Sequence, residues 1–147
     1  MGICSSSNTL DKYDDNIELF SLNERKYQAK IVRVYDGDTC FAVFIMDGKP
    51  VKFKIRMQGY DSPEMKPLLS VANRDKEIEA AKAAKAELEK LVLNKIVVME
   101  CGKWDKYGRL LAVLHVSDAN KMINVNSHMI LSGFGYRYNG GKKQQFE

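Results

Sequence analysis

The chain has no long apolar run and no paired-cysteine motif, and each of these gaps removes a class of protein. None of its hydrophobic stretches approaches the roughly 20 residues that a helix needs to cross a bilayer. No charged-then-apolar opening reads as a secretion leader. The three cysteines, Cys4, Cys40 and Cys101, are odd in number and far apart, with no CxxC. Neither a disulfide framework nor a cysteine zinc site is indicated, and a reducing, intracellular compartment is expected. Of the two histidines, His115 lies in the apolar run LLAVLHV and His128 in a helix-like stretch, so both read as structural. No internal repeat is evident. An EF-hand in DKYDDNIE (11–18) fails for want of the turn glycine and the twelfth-position glutamate.

What is present fits one domain of ordinary globular composition. With 147 residues, such a chain buries roughly two-thirds of the surface of its unfolded state. Charge is split along its length. Residues 1–25 hold five of the 19 acids and two of the 23 bases, leaving 21 bases against 14 acids, a balance of +7. A basic body suits a polyanionic partner, although on charge alone an ordinary basic soluble domain is the better reading. The expected organisation is a polar N-terminal arm (1–25), a domain (26–138) and a short basic C-terminal tail (139–147).

Hydrophobic patterning predicts three strands, YQAKIVRVY, TCFAVFIM and PVKFKIRM, the last two joined by a primed two-residue turn at Asp47-Gly48. In the third, Val51, Phe53 and Ile55 alternate with Lys52, Lys54 and Arg56, giving one apolar and one basic face. GYDSPEMKP reads as a loop. Residues 73–93 read as a helix capped by Asn73, with Ile78, Ala81, Leu88, Leu91 and Val92 as its apolar stripe and Asn94 at its end. KIVVMEC and RLLAVLHV predict two more strands around a charged turn, GKWDKYGR. INVNSHMILSG predicts a shorter helix stopped by Gly133. The expected fold is α+β, mainly β: a five-stranded OB-type barrel with two or three capping helices.

Four short segments carry chemistry: YDGDT (35–39), Arg56, DSPE (61–64) and DKYGR (105–109). Each has an ordinary alternative: Asp36-Gly37, Ser62-Pro63 and Gly108 can mark turns, and Arg56 could be one more solvated charge. Together they supply carboxylates from two loops, two arginines and a tyrosine. Asp38, Asp61 and the Ser62 carbonyl would suit Ca²⁺, which prefers mixed oxygen ligands. Guanidinium groups match phosphate oxygens bidentately, and Glu64 could accept a proton from an attacking water.

In the order and spacing of these four segments the chain resembles the staphylococcal nuclease (thermonuclease) family, over roughly residues 27–138. The resemblance implies Asp38 and Asp61 as Ca²⁺ carboxylates, with the Ser62 main-chain oxygen as a further ligand and Asp36 and Thr39 supporting. It implies Arg56 and Arg109 on the phosphate, Glu64 as the water-contacting acid, and Lys106, Tyr107 and Tyr136 as substrate contacts. The implied activity is Ca²⁺-dependent, sequence-nonspecific cleavage of DNA and RNA, single-stranded or locally open, leaving 3′-phosphate ends. A monomer is expected. The alternative is a scaffold that keeps the barrel and binds nucleic acid or protein. Such scaffolds lose the metal and arginine positions, and none is substituted here. One departure is the short NGGKKQQFE after Tyr138, where family members commonly add a third helix; Ile17, Leu19, Phe20 and Leu22 of the arm are expected to cover that flank.

The first residues, MGICSSS, match an acylation pattern, with Gly2 as candidate myristoyl acceptor and Cys4 as candidate palmitoyl site. Acylation would hold the protein at the cytoplasmic face of a membrane; without it the expected location is cytoplasmic.

Overall fold

In the computed structural model residues 9–138 and 140 are described. Gly2 and Cys4, and all of the 139–147 tail except Gly140, lie outside that range. Three strands open the fold: β1 (Lys26–Asp36), β2 (Thr39–Met46) and β3 (Lys49–Met57). Asp47 and Gly48 both have positive φ, 52° and 78°, as the primed turn between β2 and β3 requires. A two-residue strand β4 (Tyr60–Asp61) precedes the long helix α1 (Arg74–Val92). Then come β5 (Ile96–Trp104), β6 (Leu110–Asp118), β7 (Lys121–Asn124), a short helix α2 (Val125–Leu131) and β8 (Tyr136–Arg137).

Strands β1, β2, β3, β6 and β5 form a closed, mixed five-stranded barrel. Closure comes from the one parallel pairing, Ile55, Arg56 and Met57 of β3 against Leu110, Leu111 and Ala112 of β6. Strand β7 extends the sheet beside β6 through a turn in which Ala119 and Asn120 both have positive φ. The interior is filled by Ile31, Val34, Ala42, Phe44, Ile55, Met57, Met99, Leu110 and Leu114. Ala84, Leu88 and Val92 of α1 and Met129 of α2 close it from outside the sheet. Cys40 and Cys101 belong to this interior as free thiols; burial pushes Cys40 up to about 12 and Cys101 up to about 11. They act as small packing groups. His115 Nε2 lies 3.0 Å from Glu100 and His128 Nε2 lies 2.7 Å from Glu87, both away from the cleft described below.

Several local expectations need correction. Asn73 stands at the N-cap of α1 but in a left-handed conformation, and its side chain makes no capping bond. Asp75 and Glu77 in the first turn supply the negative charge that a helix N-terminus favours. The side-chain cap is found on α2, where Asn124 accepts the Ser127 N–H at 3.0 Å. GKW is part of β5 and not of the turn, and the start of INVNSHMILSG is β7. Of the four arm residues expected to cover the flank, only Leu22 is buried; Ile17, Leu19 and Phe20 are 62%, 95% and 62% exposed. The reason is where the backbone docks. Glu24 donates to Cys101 O and Cys101 to Arg25 O, so the arm joins β5 only at its last residues. Among the described residues no helix follows Leu131, and none is long and apolar enough to cross a membrane.

Candidate active site

One end of the β1–β2–β3 sheet sets the site. Asp36 pairs with Thr39 and Thr39 with Arg56, so three strands place these residues in one row. The turn between β1 and β2, Gly37-Asp38, folds under the loop that follows β4. Ser62 N–H and Oγ both donate to Asp38 Oδ2, at 3.0 and 3.1 Å, and Thr39 Oγ1 donates to Asp38 Oδ1 at 3.0 Å. Tyr60, fully buried, donates its hydroxyl to Gly37 O at 2.7 Å. The contact is tight: a Cβ on Gly37 would sit 2.7 Å from both Ala84 Cβ and Ser62 Cβ. Only glycine admits α1 and the Ser62 loop at this distance.

Arg56 is held on every side. Its Nη1 donates to Met57 O at 2.9 Å and Tyr60 O at 2.7 Å, and its Nη2 pairs with Asp61 and lies 3.5 Å from Asp38 Oδ2. Arg56, Asp38 and Asp61 are all buried. Burial alone would push Asp38 up, but the Arg56 charge and the bonds from Ser62 and Thr39 hold it below the usual carboxylate range. Asp36 behaves oppositely. Burial first, and the neighbouring Asp38 charge second, push it up to about 6.

The second arginine comes from the β5–β6 turn. Asp105 organises that turn, accepting the N–H groups of Tyr107 and Arg109 on Oδ1 at 2.8 and 2.9 Å. Its Oδ2 takes Arg109 Nε at 2.7 Å, and Arg109 Nη1 reaches Thr39 Oγ1 at 3.4 Å. The Lys106 ammonium and the Arg109 guanidinium lie 5.2 and 5.4 Å from the centre of the exposed Tyr107 ring. Thr39 thus stands between Asp38 and Arg109, linking the two halves of the site.

Glu64 is exposed and lines the same cleft, of about 900 Å³, as Asp36, Asp38, Arg56, Asp61, Ser62, Lys106, Tyr107 and Arg109. Its backbone is fixed from behind: the Glu64 N–H donates to Glu77 Oε2 at 2.9 Å. Tyr136 is the ladder partner of Asp61 in the β4–β8 pair and is not among the cleft walls, whereas Tyr138, whose N–H donates to Gly59 O, is. Asp105, Glu77 and Tyr138 are absent from the sequence-based site. Asp105 opens DKYGR, four residues before Arg109, and that spacing signals a carboxylate within reach of the guanidinium. Nothing in sequence separates Glu77 from the other charged residues at the start of α1.

A family model described as staphylococcal nuclease homologue matches residues 54–147. The chain belongs to that family. A Methanocaldococcus jannaschii protein described as uncharacterised is 32% identical over 154 residues, covering 91% of this chain and 72% of that protein. An Escherichia coli protein named an uncharacterised endonuclease is 29% identical over 109 residues, covering 74% of this chain. The aligned part spans 60% of that relative's length. Family membership and the relative's name together support a nuclease.

Proposed function

We propose that this chain is a Ca²⁺-dependent, sequence-nonspecific nuclease that hydrolyses phosphodiester bonds of DNA and RNA and leaves 3′-phosphate ends. The observation that carries the reading is the convergence of Asp38 and Asp61 on one buried guanidinium, Arg56, in a cleft that also holds Glu64 and Arg109. Asp36, Asp38 and Asp61 crowd this single buried cation, and the rise of Asp36 to about 6 reflects burial and the Asp38 charge. That negative, all-oxygen surrounding fits a hard divalent ion. Among the described residues no three His, Cys, Asp or Glu side chains form a ligand cluster. As the family resemblance implies, Asp38 and Asp61 would be completed by the Ser62 main-chain oxygen and by water. When bound, the ion supplies positive charge to a phosphoryl oxygen.

The chain's own groups do the rest. Arg109, and Arg56 once an ion on Asp38 and Asp61 releases its Nη2, offer planar donors to a phosphate whose negative charge becomes more crowded as it is attacked. Arg56 is preorganised by two carbonyls and two carboxylates, and Arg109 by Asp105, so neither needs to be ordered during the reaction. Glu64 takes the proton of the attacking water, whose oxygen bonds to phosphorus as the 5′ oxygen departs. Lys106 and Tyr107 hold a neighbouring phosphate, and Tyr138, a tyrosine of the cleft wall, is placed to meet the nucleotide where Tyr136 is not.

The test is cleavage of single-stranded DNA and RNA oligonucleotides in Ca²⁺, Mg²⁺ or chelator, followed by end-group analysis. Ca²⁺-dependent cleavage with 3′-phosphate ends is expected, with little turnover in Mg²⁺, which is stricter about octahedral geometry. Full activity in chelator, or 5′-phosphate ends, would sink the reading. Binding without cleavage under every metal condition would replace it with a scaffold.

A further inference from the structure

The row Asp36–Thr39–Arg56 is the first rank on the outer face of the β1–β2–β3 sheet, and the same face continues away from the cleft. The next rank across the three strands is Arg33–Phe41–Lys54, and the one after it is Lys30–Val43–Lys52. Their neighbours Cys40, Ala42 and Phe44 point inward and are buried, so these ranks face out. A register irregularity between Val34 and Asp36 brings in one more residue, Tyr35, which is 52% exposed. The Lys54 ammonium lies 5.0 Å from the Tyr35 ring centre and 5.9 Å from that of Phe41, and the Arg33 guanidinium lies 5.3 Å from Phe41.

Four exposed cations, Lys30, Arg33, Lys52 and Lys54, therefore share two ranks with no acid among them. Among the described residues none of the four forms an ion pair with a carboxylate. A merely solvated face gains nothing from leaving like charges together, nor from setting two aromatic rings between them. Rings flanked by cations are the arrangement that binds single-stranded nucleic acid, bases stacking on the rings while the charges follow the phosphates. Ranks lie about 7 Å apart along the strands, so the first exposed rank stands one step from Asp36 and Arg56 in the cleft wall.

We infer that the outer face of β1–β3 is an exosite for the single strand leaving the cleft, with Tyr35 and Phe41 stacking bases and Lys30, Arg33, Lys52 and Lys54 engaging phosphates. The inference rests on the nuclease reading and adds to it a preference for substrates long enough to reach both regions.

The experiment compares wild type with Arg33→Gln/Lys54→Gln, with Tyr35→Ser, and with Lys82→Gln/Lys90→Gln on α1 as a control of equal charge change. Binding of a 20-nucleotide single strand is read by fluorescence anisotropy across a salt series in Ca²⁺, and cleavage is read on the 20-mer and on a trinucleotide. The Arg33/Lys54 variant should bind the 20-mer at least tenfold more weakly and lose about 1.4 from the slope of log K against log salt, about 0.7 for each of two phosphates. Tyr35→Ser should weaken binding severalfold at an unaltered slope. The loss of kcat/KM should be at least tenfold greater on the 20-mer than on the trinucleotide. Wild-type affinity in the Arg33/Lys54 variant, an equal loss in the α1 control, or equal losses on long and short substrates would overturn the exosite. Loss of phosphatidylserine-vesicle binding in that variant, with 20-mer affinity intact, would overturn it in favour of an anionic lipid surface. A wild type that binds the 20-mer but cleaves nothing would defeat the nuclease reading alone, because the binding series still judges the exosite.

Discussion

The buried carboxylate of Glu77, in the first turn of α1, accepts the backbone N–H of Glu64 at 2.9 Å. A helix residue that never reaches the cleft thus fixes the position of the acid proposed to take a proton there. Glu77→Ala leaves that N–H without its acceptor, a cost of about 1–3 kcal/mol in stability. It should also slow single-turnover cleavage by up to about 10², since displacement of a reacting group by an ångström has that effect. Glu77→Gln keeps an acceptor oxygen and should recover most of both. A rate loss no larger than the accompanying loss of DNA affinity would remove the positioning role.

The two arginines should separate in their effects. Arg56 is 8% exposed and joined to Asp38 and Asp61, so Arg56→Met leaves buried carboxylates uncompensated and should cost about 3–5 kcal/mol in chelator. Ca²⁺ should then raise the Tm of this variant more than that of wild type, because the ion replaces the missing charge. Arg109 has its ion pair nearer the surface, and Arg109→Lys should alter stability by less than about 1 kcal/mol. Turnover should still drop by about 10²–10³, since an ammonium cannot reproduce the planar fork. Thermal unfolding with and without Ca²⁺, beside single-turnover rates, checks both.

Asp105 gives a pH signature. Burial pushes its carboxyl up, but the N–H groups of Arg109 and Tyr107 and the Arg109 guanidinium more than offset this and hold it below the usual range. The stabilisation is therefore fully present above the unfolded pKa of about 3.9 and is lost as pH falls through the lower folded value. The stability difference between wild type and Asp105→Asn should be constant from neutral pH down to about 5 and shrink below about pH 4. A difference that widens on acidification would contradict the assignment. Urea unfolding at stepped pH measures it.

Gly37→Ala tests the close approach beneath Asp38. The added methyl would lie 2.7 Å from Ala84 Cβ and Ser62 Cβ, so either α1 or the Ser62 loop must shift. Overpacking of this kind costs about 1–3 kcal/mol, and metal affinity should weaken alongside. Calorimetric Ca²⁺ titration of the variant, with circular dichroism to establish folding, gives the answer.

Much of the fold was legible because its strands alternate cleanly and its key hairpin carries Asp47-Gly48. The structure brings Asp38, Arg56, Asp61 and Arg109 of the four motif segments into one cleft, since each sits at a strand end or turn that the barrel gathers. The short strands β4, β7 and β8 escaped because two to four residues show no period, and Ala119-Asn120 is not a typical primed-turn pair. Asn73 misled because residue type suggests a cap while backbone conformation decides it. Glu77 was invisible for a related reason: among the charges of RDKEIE, burial follows from the loop that happens to fold over one of them. The arm's apolar residues suggested a covering segment, but backbone pairing with Cys101 fixes only Leu22.

Asp61 meets its ladder partner in Tyr136, on β8, the last strand of the described fold. Protein synthesis runs from the other end. A ribosome that has already made both acidic turns and Arg109 has yet to release the strand that fastens Asp61 in place. The growing chain, emerging beside messenger RNA, therefore carries every proposed reactive group before it carries the fastening for one of them. A stop codon just ahead of position 136 would yield the whole five-stranded barrel with the Asp61 backbone unpaired, although Arg56 would still hold its carboxylate, so translation itself sets the moment at which the cleft becomes complete.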